Sequence, residues 1–159
     1  MNGKNLKYGA LGGLAGGAIF GMMMAMMGVL PMIGSMVGLG TTLGGFLVHL
    51  VISAVIGAGF AVTLARGVHG AAAGLRRGLV YGAAWWLLGP LTLMPLMMGR
   101  GLGVAWNLSA AGAALPSLMG HLLYGAILGV TFARLSGSGA RDATDRLGSA
   151  VRVVGDEAA

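Results

Sequence analysis

His49 and His121 each lie in a long apolar run without a neighbouring charge, and an imidazole in such a setting can do three kinds of work. A neutral ring can hydrogen-bond to a carbonyl, a hydroxyl (Ser53, Ser117 or Tyr124) or water and so fasten two helices. Two histidines on neighbouring helices can also supply the axial ligands of a six-coordinate haem b, with Gly57, Gly125 and Gly129 leaving room for the macrocycle. Imidazole with thioether is a soft donor set for copper, and Met22, Met23, Met24, Met26, Met27, Met94, Met97 and Met98 are at hand. Met22–Met27 cover every face of a helix, however, so they cannot all meet one metal. As flexible apolar fillers they also suit glycine-lined gaps.

Composition says what must position these rings. Of 159 residues, 57% are hydrophobic and 9% charged, where an ordinary soluble domain has about 25% charged. The mean hydropathy of +0.87 is more than a globule this small can bury, because it leaves much of its chain outside. With no cysteine, a disulfide scaffold and a thiolate metal site are both excluded. The chain therefore reads as an integral membrane protein. Tyr8–Ala65 contains 58 residues without a Lys, Arg, Asp or Glu, Gly78–Gly99 contains 22 and Gly101–Ala133 contains 33. A spanning helix needs about 20 apolar residues, so four spans are expected, near residues 8–30, 46–65, 79–98 and 117–135. Residues 1–135 form one transmembrane domain in this reading.

With the N-terminus in the cytoplasm, Lys4, Lys7, Arg66, Arg76, Arg77, Arg134, Arg141, Arg146 and Arg152 fall on the inner side and only Arg100 on the outer. Both termini are then cytoplasmic. The net charge of +6 is accounted for by an inner rim facing anionic headgroups, with Lys4, Lys7, Arg66, Arg76, Arg77 and Arg134 as lipid contacts. No nucleic-acid partner is called for. The first apolar run is too long for a signal peptide and lacks a small-x-small cleavage site, so it is expected to stay. Beyond Ser136 a Ser-Gly-Ser-Gly link opens a flexible cytoplasmic tail, residues 136–159, holding all four acids. Leu147, Val151 and Val154 give it some helical periodicity.

The second and fourth spans open alike. His49-Leu-Val-Ile-Ser-Ala-Val-Ile-Gly-Ala-Gly-Phe-Ala parallels His121-Leu-Leu-Tyr-Gly-Ala-Ile-Leu-Gly-Val-Thr-Phe-Ala without a gap. Each preceding span carries methionines and a late proline, Pro31 or Pro95. Two such helical hairpins enter the membrane in the same direction, a parallel repeat, and place the histidines at similar depth about one turn from the outer boundary.

Small residues recur in steps of four: Gly9, Gly13, Gly17 and Gly21 in the first span; His49, Ser53, Gly57 and Ala61 in the second; Ser117, His121, Gly125, Gly129 and Ala133 in the fourth. Residues four apart share a helix face, and small ones let backbones approach in lipid, where no hydrophobic drive pulls helices together. Both histidines lie on these ridges and should face protein. Pro90 predicts a kink in the third span, which either is structural or opens a polar cavity. Trp85 and Trp86 read as large fillers, and Tyr8, Tyr81 and Trp106 as interfacial anchors. Asn107-Leu-Ser109 fits a glycosylation acceptor. No span contains an acid, no nucleotide-binding glycine motif follows a strand, and no base–orienter pair is present, so the sequence is read as non-enzymatic.

The paired starts His49-Leu-Val-Ile-Ser and His121-Leu-Leu-Tyr-Gly-Ala-Ile-Leu-Gly resemble those of small bacterial inner-membrane proteins grouped as a domain of unknown function. The resemblance covers about residues 8–135. It implies a polytopic protein of the bacterial inner membrane and carries over no activity. The expected architecture is an all-α, four-helix transmembrane bundle of two parallel-repeat hairpins. The expected function is that of a structural or accessory membrane subunit, as a homo-oligomer or within a larger membrane complex. A haem b- or copper-binding protein using His49 and His121 is the first alternative, and a passive small-solute pore the second.

Overall fold

A computed structural model of the chain describes the backbone of residues 3–157 and the side chains of residues 3–137. Among the described residues all regular structure is helical: α1 (Gly3–Met26), α2 (Leu30–Ser35), α3 (Thr42–Thr63), α4 (Ala71–Leu88), a π-helical turn (Gly89–Leu93), α5 (Met94–Met97), α6 (Leu108–Ala113) and α7 (Leu115–Glu157). Four stretches are long and apolar enough to cross a membrane: Gly3–Met26, Thr42–Thr63, Ala71–Met97 and Leu115–Gly137. This is the composition of a multi-pass membrane protein.

The helices meet backbone to backbone. A Cβ on Gly9 or Gly13 would collide with the carbonyl oxygen of Gly57 or Ser53 on α3, and one on Gly74, Gly78 or Gly82 with that of Gly129, Gly125 or His121 on α7. On the neighbouring face of α1, a Cβ at Gly12 would come 2.9 Å from the Leu128 carbonyl oxygen, and one at Gly16 2.7 Å from that of Tyr124. The order of these pairs along each helix makes α1 antiparallel to both α3 and α7, and α4 antiparallel to α7. The glycine doublets Gly12-Gly13 and Gly16-Gly17 thus serve two partners at once. The third glycine ridge, Gly74, Gly78 and Gly82, is absent from the sequence reading because the span was started at Leu79.

The helix itself starts earlier than the expected span. α4 begins at Ala71, so Arg76 and Arg77 lie inside the helix and do not mark its end. Long arginine side chains reach the helix end from within. Arg77 Nη1 donates to the Leu64 carbonyl at 2.8 Å and also to that of Arg66. It therefore satisfies carbonyls that the end of α3 leaves without helical donors, and is held by protein where a lipid contact was expected.

Between α1 and α3 the chain turns at Gly28 (φ +68°). It then forms α2, whose Pro31 sits where a missing N–H does no harm. Leu30 is fully buried, and its carbonyl lies where a Cβ on Gly45 would be. Thr41 caps α3 by accepting from the Gly44 N–H at 2.9 Å. At the other proline-rich site, Pro90 cannot donate to the helical ladder, and the helix widens into the π turn, with the Met94 N–H donating to the Gly89 carbonyl. The backbone of α7 remains helical through Ser136–Gly139, where the sequence reads as a flexible link. The side chains of the expected tail, Leu147, Val151 and Val154 included, lie outside the described residues.

The core between the helices is aromatic and aliphatic. Phe60 meets Tyr81 and Phe132 edge to face at 5.3 and 5.6 Å. Tyr81, an expected interfacial anchor, is instead buried and donates its hydroxyl to the Ile56 carbonyl at 2.7 Å.

Candidate functional site

His49 is 7% exposed and stands on the face of α3 that meets α1. Its Nε2 lies 3.1 Å from the Gly17 carbonyl oxygen. A carbonyl only accepts, so Nε2 carries the proton and, in the neutral ring, Nδ1 is a bare acceptor. The Cδ2 edge faces Gly21, which turns Nδ1 away from α1. Ser53 Oγ lies 3.5 Å from Nε2 on the next turn.

His121 is oriented the opposite way. Its Nδ1 lies 2.8 Å from the Ser117 carbonyl oxygen one turn earlier and 3.2 Å from Ser117 Oγ. Nδ1 therefore carries the proton and Nε2 is the acceptor. Nε2 points toward Gly89 at the π turn, where a Cβ would come 3.6 Å away.

The two rings share one neighbour. The Phe20 centroid is 5.4 Å from that of His49 and 4.8 Å from that of His121, edge-on to both. Phe20 fits there because Gly120 leaves space: a Cβ on Gly120 would lie 2.7 Å from Phe20 Cζ. Both imidazoles therefore meet the same phenyl ring and face protein. A haem ligated by both would have to displace this phenyl ring. Among the described residues no group of three or more His, Cys, Asp or Glu is gathered.

Both histidines border a half-open chamber of about 350 Å³, the size of a small-ligand pocket, and Met27, Met32, Met36 and Met97 on its rim are exposed. Among the described residues every side-chain nitrogen or oxygen sealed from solvent has a hydrogen-bond partner. His49 Nδ1 and His121 Nε2 have none, so they must border open space, and the space their residues line is this chamber. The polar side chains on its wall are His49, Ser53, Ser117, His121 and Tyr124. Tyr124 donates its hydroxyl to the Ser53 carbonyl at 2.8 Å. All else is apolar. The kink expected at Pro90 does open a cavity, with Gly89, Pro90 and Leu93 on its wall, and the lining is hydrocarbon and thioether where a polar one was one of two expectations.

The methionines divide. Met24, Met27, Met94 and Met97 line the chamber together with Met32 and Met36, which the sequence reading passed over. Met22, Met26 and Met98 point outward, and Met23 packs on the core. Trp85 lines the chamber and Trp86 Nε1 donates to the Ala114 carbonyl at 3.0 Å. Exposed Trp106 donates to Thr92 Oγ1 at 3.1 Å. Asn107 caps α6, accepting from the Ala110 N–H at 3.0 Å. Lys4, Lys7, Arg66, Arg76, Arg77 and Arg134 all fall at one end of the packed helices, the end where Gly9 meets Ala61 and Gly74 meets Ala133. Arg100 lies in the connection at the other end.

α1 offers α7 two glycines, Gly12 and Gly16, and packs on it closely. Between α4 and α3, Tyr81 reaches the Ile56 carbonyl and packs edge to face on Trp85. No family model, curated protein or solved structure matches the chain.

Proposed function

We propose that this is a non-enzymatic, accessory protein of a bacterial inner membrane that holds an apolar small molecule in the chamber beside Phe20, His49 and His121. The four long helices form, in this reading, a bundle of two duplicated hairpins with both termini cytoplasmic. The matched glycine pairings of α1 with α3 and of α4 with α7 support the duplication, and the basic end supports the orientation. The resemblance to small four-span proteins of unknown function agrees with it. The observation that carries the binding role is the chamber itself: about 350 Å³, walled by apolar side chains, at the level of two imidazoles.

The test uses trimethylhydroquinone dimethyl ether, a ring without donors, titrated into the protein in nanodiscs against empty nanodiscs. Saturable binding at one site, read by heat or by quenching of tryptophan, is expected, and Ala114→Phe, which fills the chamber, abolishes it. Absence of saturable binding by the wild type overturns the reading.

A second reading, a copper(I) site, is favoured by one observation: six methionines and two histidines converge on the same chamber. It has no carboxylate among the lining residues to offset the metal's charge. Titration with copper(I) against a chromogenic chelator decides it: stoichiometric withdrawal of metal, lost in Met94→Leu, supports the site, and metal left wholly on the chelator removes it.

A further inference from the structure

The two free ring nitrogens specify more than an apolar guest. His49 is locked by the Gly17 carbonyl and His121 by the Ser117 carbonyl, through opposite ring positions, so that each leaves one acceptor toward the chamber. An acceptor in an apolar enclosure is satisfied by a donor that enters with the ligand or by water. Neither nitrogen can be served by Tyr124, whose hydroxyl is spent on the Ser53 carbonyl. Neither can be served by Trp86, whose N–H is spent on Ala114. The ring nitrogens thus offer acceptors to a guest, and the Tyr124 hydroxyl is engaged elsewhere.

From this we infer that the ligand is a neutral, ring-sized apolar molecule bearing hydroxyl donors, of the phenol or quinol class, whose O–H groups donate to His49 Nδ1 and His121 Nε2. This rests on the chamber being a binding site. A neutral guest suits a wall with no charged side chain, since an ion there would go uncompensated. A ring suits the edges of Phe20 and Trp85, both of which line the space. A quinone, which only accepts, would set oxygen lone pairs against the bare nitrogens and is disfavoured relative to its reduced form.

The experiment compares trimethylhydroquinone, kept reduced under argon, with its dimethyl ether on the wild-type protein in nanodiscs. The hydroquinone is expected to bind about tenfold or more tightly, the effect of one or two added hydrogen bonds in a dry site. The double variant His49→Leu/His121→Leu removes both ring acceptors, while the Gly17 and Ser117 carbonyls, both inside helices, keep their helical donors. In this variant the hydroquinone's advantage over the ether should disappear. Equal binding of the two probes by the wild type overturns the inference and leaves the apolar chamber standing, with water on the nitrogens. Failure of both probes to bind overturns the chamber reading itself. The wild-type comparison decides the matter even if the double variant does not fold.

Discussion

Replacing Gly13 by leucine should unfold the protein or destabilise it by several kcal/mol, on the order of the largest single-site effects known. A Cβ there collides with the Ser53 carbonyl and comes 3.0 Å from Gly57 Cα, backbone atoms that cannot swing aside. α1 and α3 must then separate. In lipid their association comes from close contact and hydrogen bonds, with no hydrophobic term to hold them at a longer distance. The same separation pulls the Gly17 carbonyl away from His49. Gly112→Ala is the control: nothing lies within 4 Å of a Cβ there, so stability should change by no more than about 0.5 kcal/mol. Reversible unfolding in mixed micelles, followed by circular dichroism, measures both. Wild-type stability in Gly13→Leu is incompatible with the helix approach described above.

Phe20→Ala carries the second large effect. The ring is 6% exposed and contacts both imidazoles and Gly120. Its removal leaves a void next to the chamber, and large-to-small core changes of this kind cost about 3 to 5 kcal/mol in soluble proteins. The transfer component weakens when the surrounding solvent is lipid, so about 3 kcal/mol is expected. The variant's chamber should also admit a larger ring system that the wild type rejects. Bicyclic naphthohydroquinone dimethyl ether, binding only to the variant, gives that readout. Unchanged size selectivity shows that Phe20 does not wall the chamber.

The positions of His49 and His121 on small-residue ridges were legible because a four-residue step is a helix face whatever surrounds it. The second ridge partner, Gly74, Gly78 and Gly82, shows the same step and was hidden by Arg76 and Arg77. Charges mark the end of a span only when their side chains do not reach back along the helix. The doublets Gly12-Gly13 and Gly16-Gly17 carried the information that α1 has two partners, because adjacent residues lie about 100° apart on a helix. The chamber was not legible. Its lining comes from α1, α2, α3, α4, the π turn, α5 and α7, so it depends on distances between elements and not on periods within one. For the same reason Met32 and Met36 gave no sign of joining Met94 and Met97 on one wall.

The engagement of α1 by both α3 and α7 bears on biogenesis. The glycines that meet α7 wait on a surface for which no earlier-made helix is built, and their partners Tyr124 and Leu128 are more than 100 residues downstream. In a chain made from its N-terminus, the Gly12–Gly16 groove therefore gains its partner only once α7 has been made. The same pairing seats Phe20 on Gly120, so the proposed binding chamber is completed by the long helix made last.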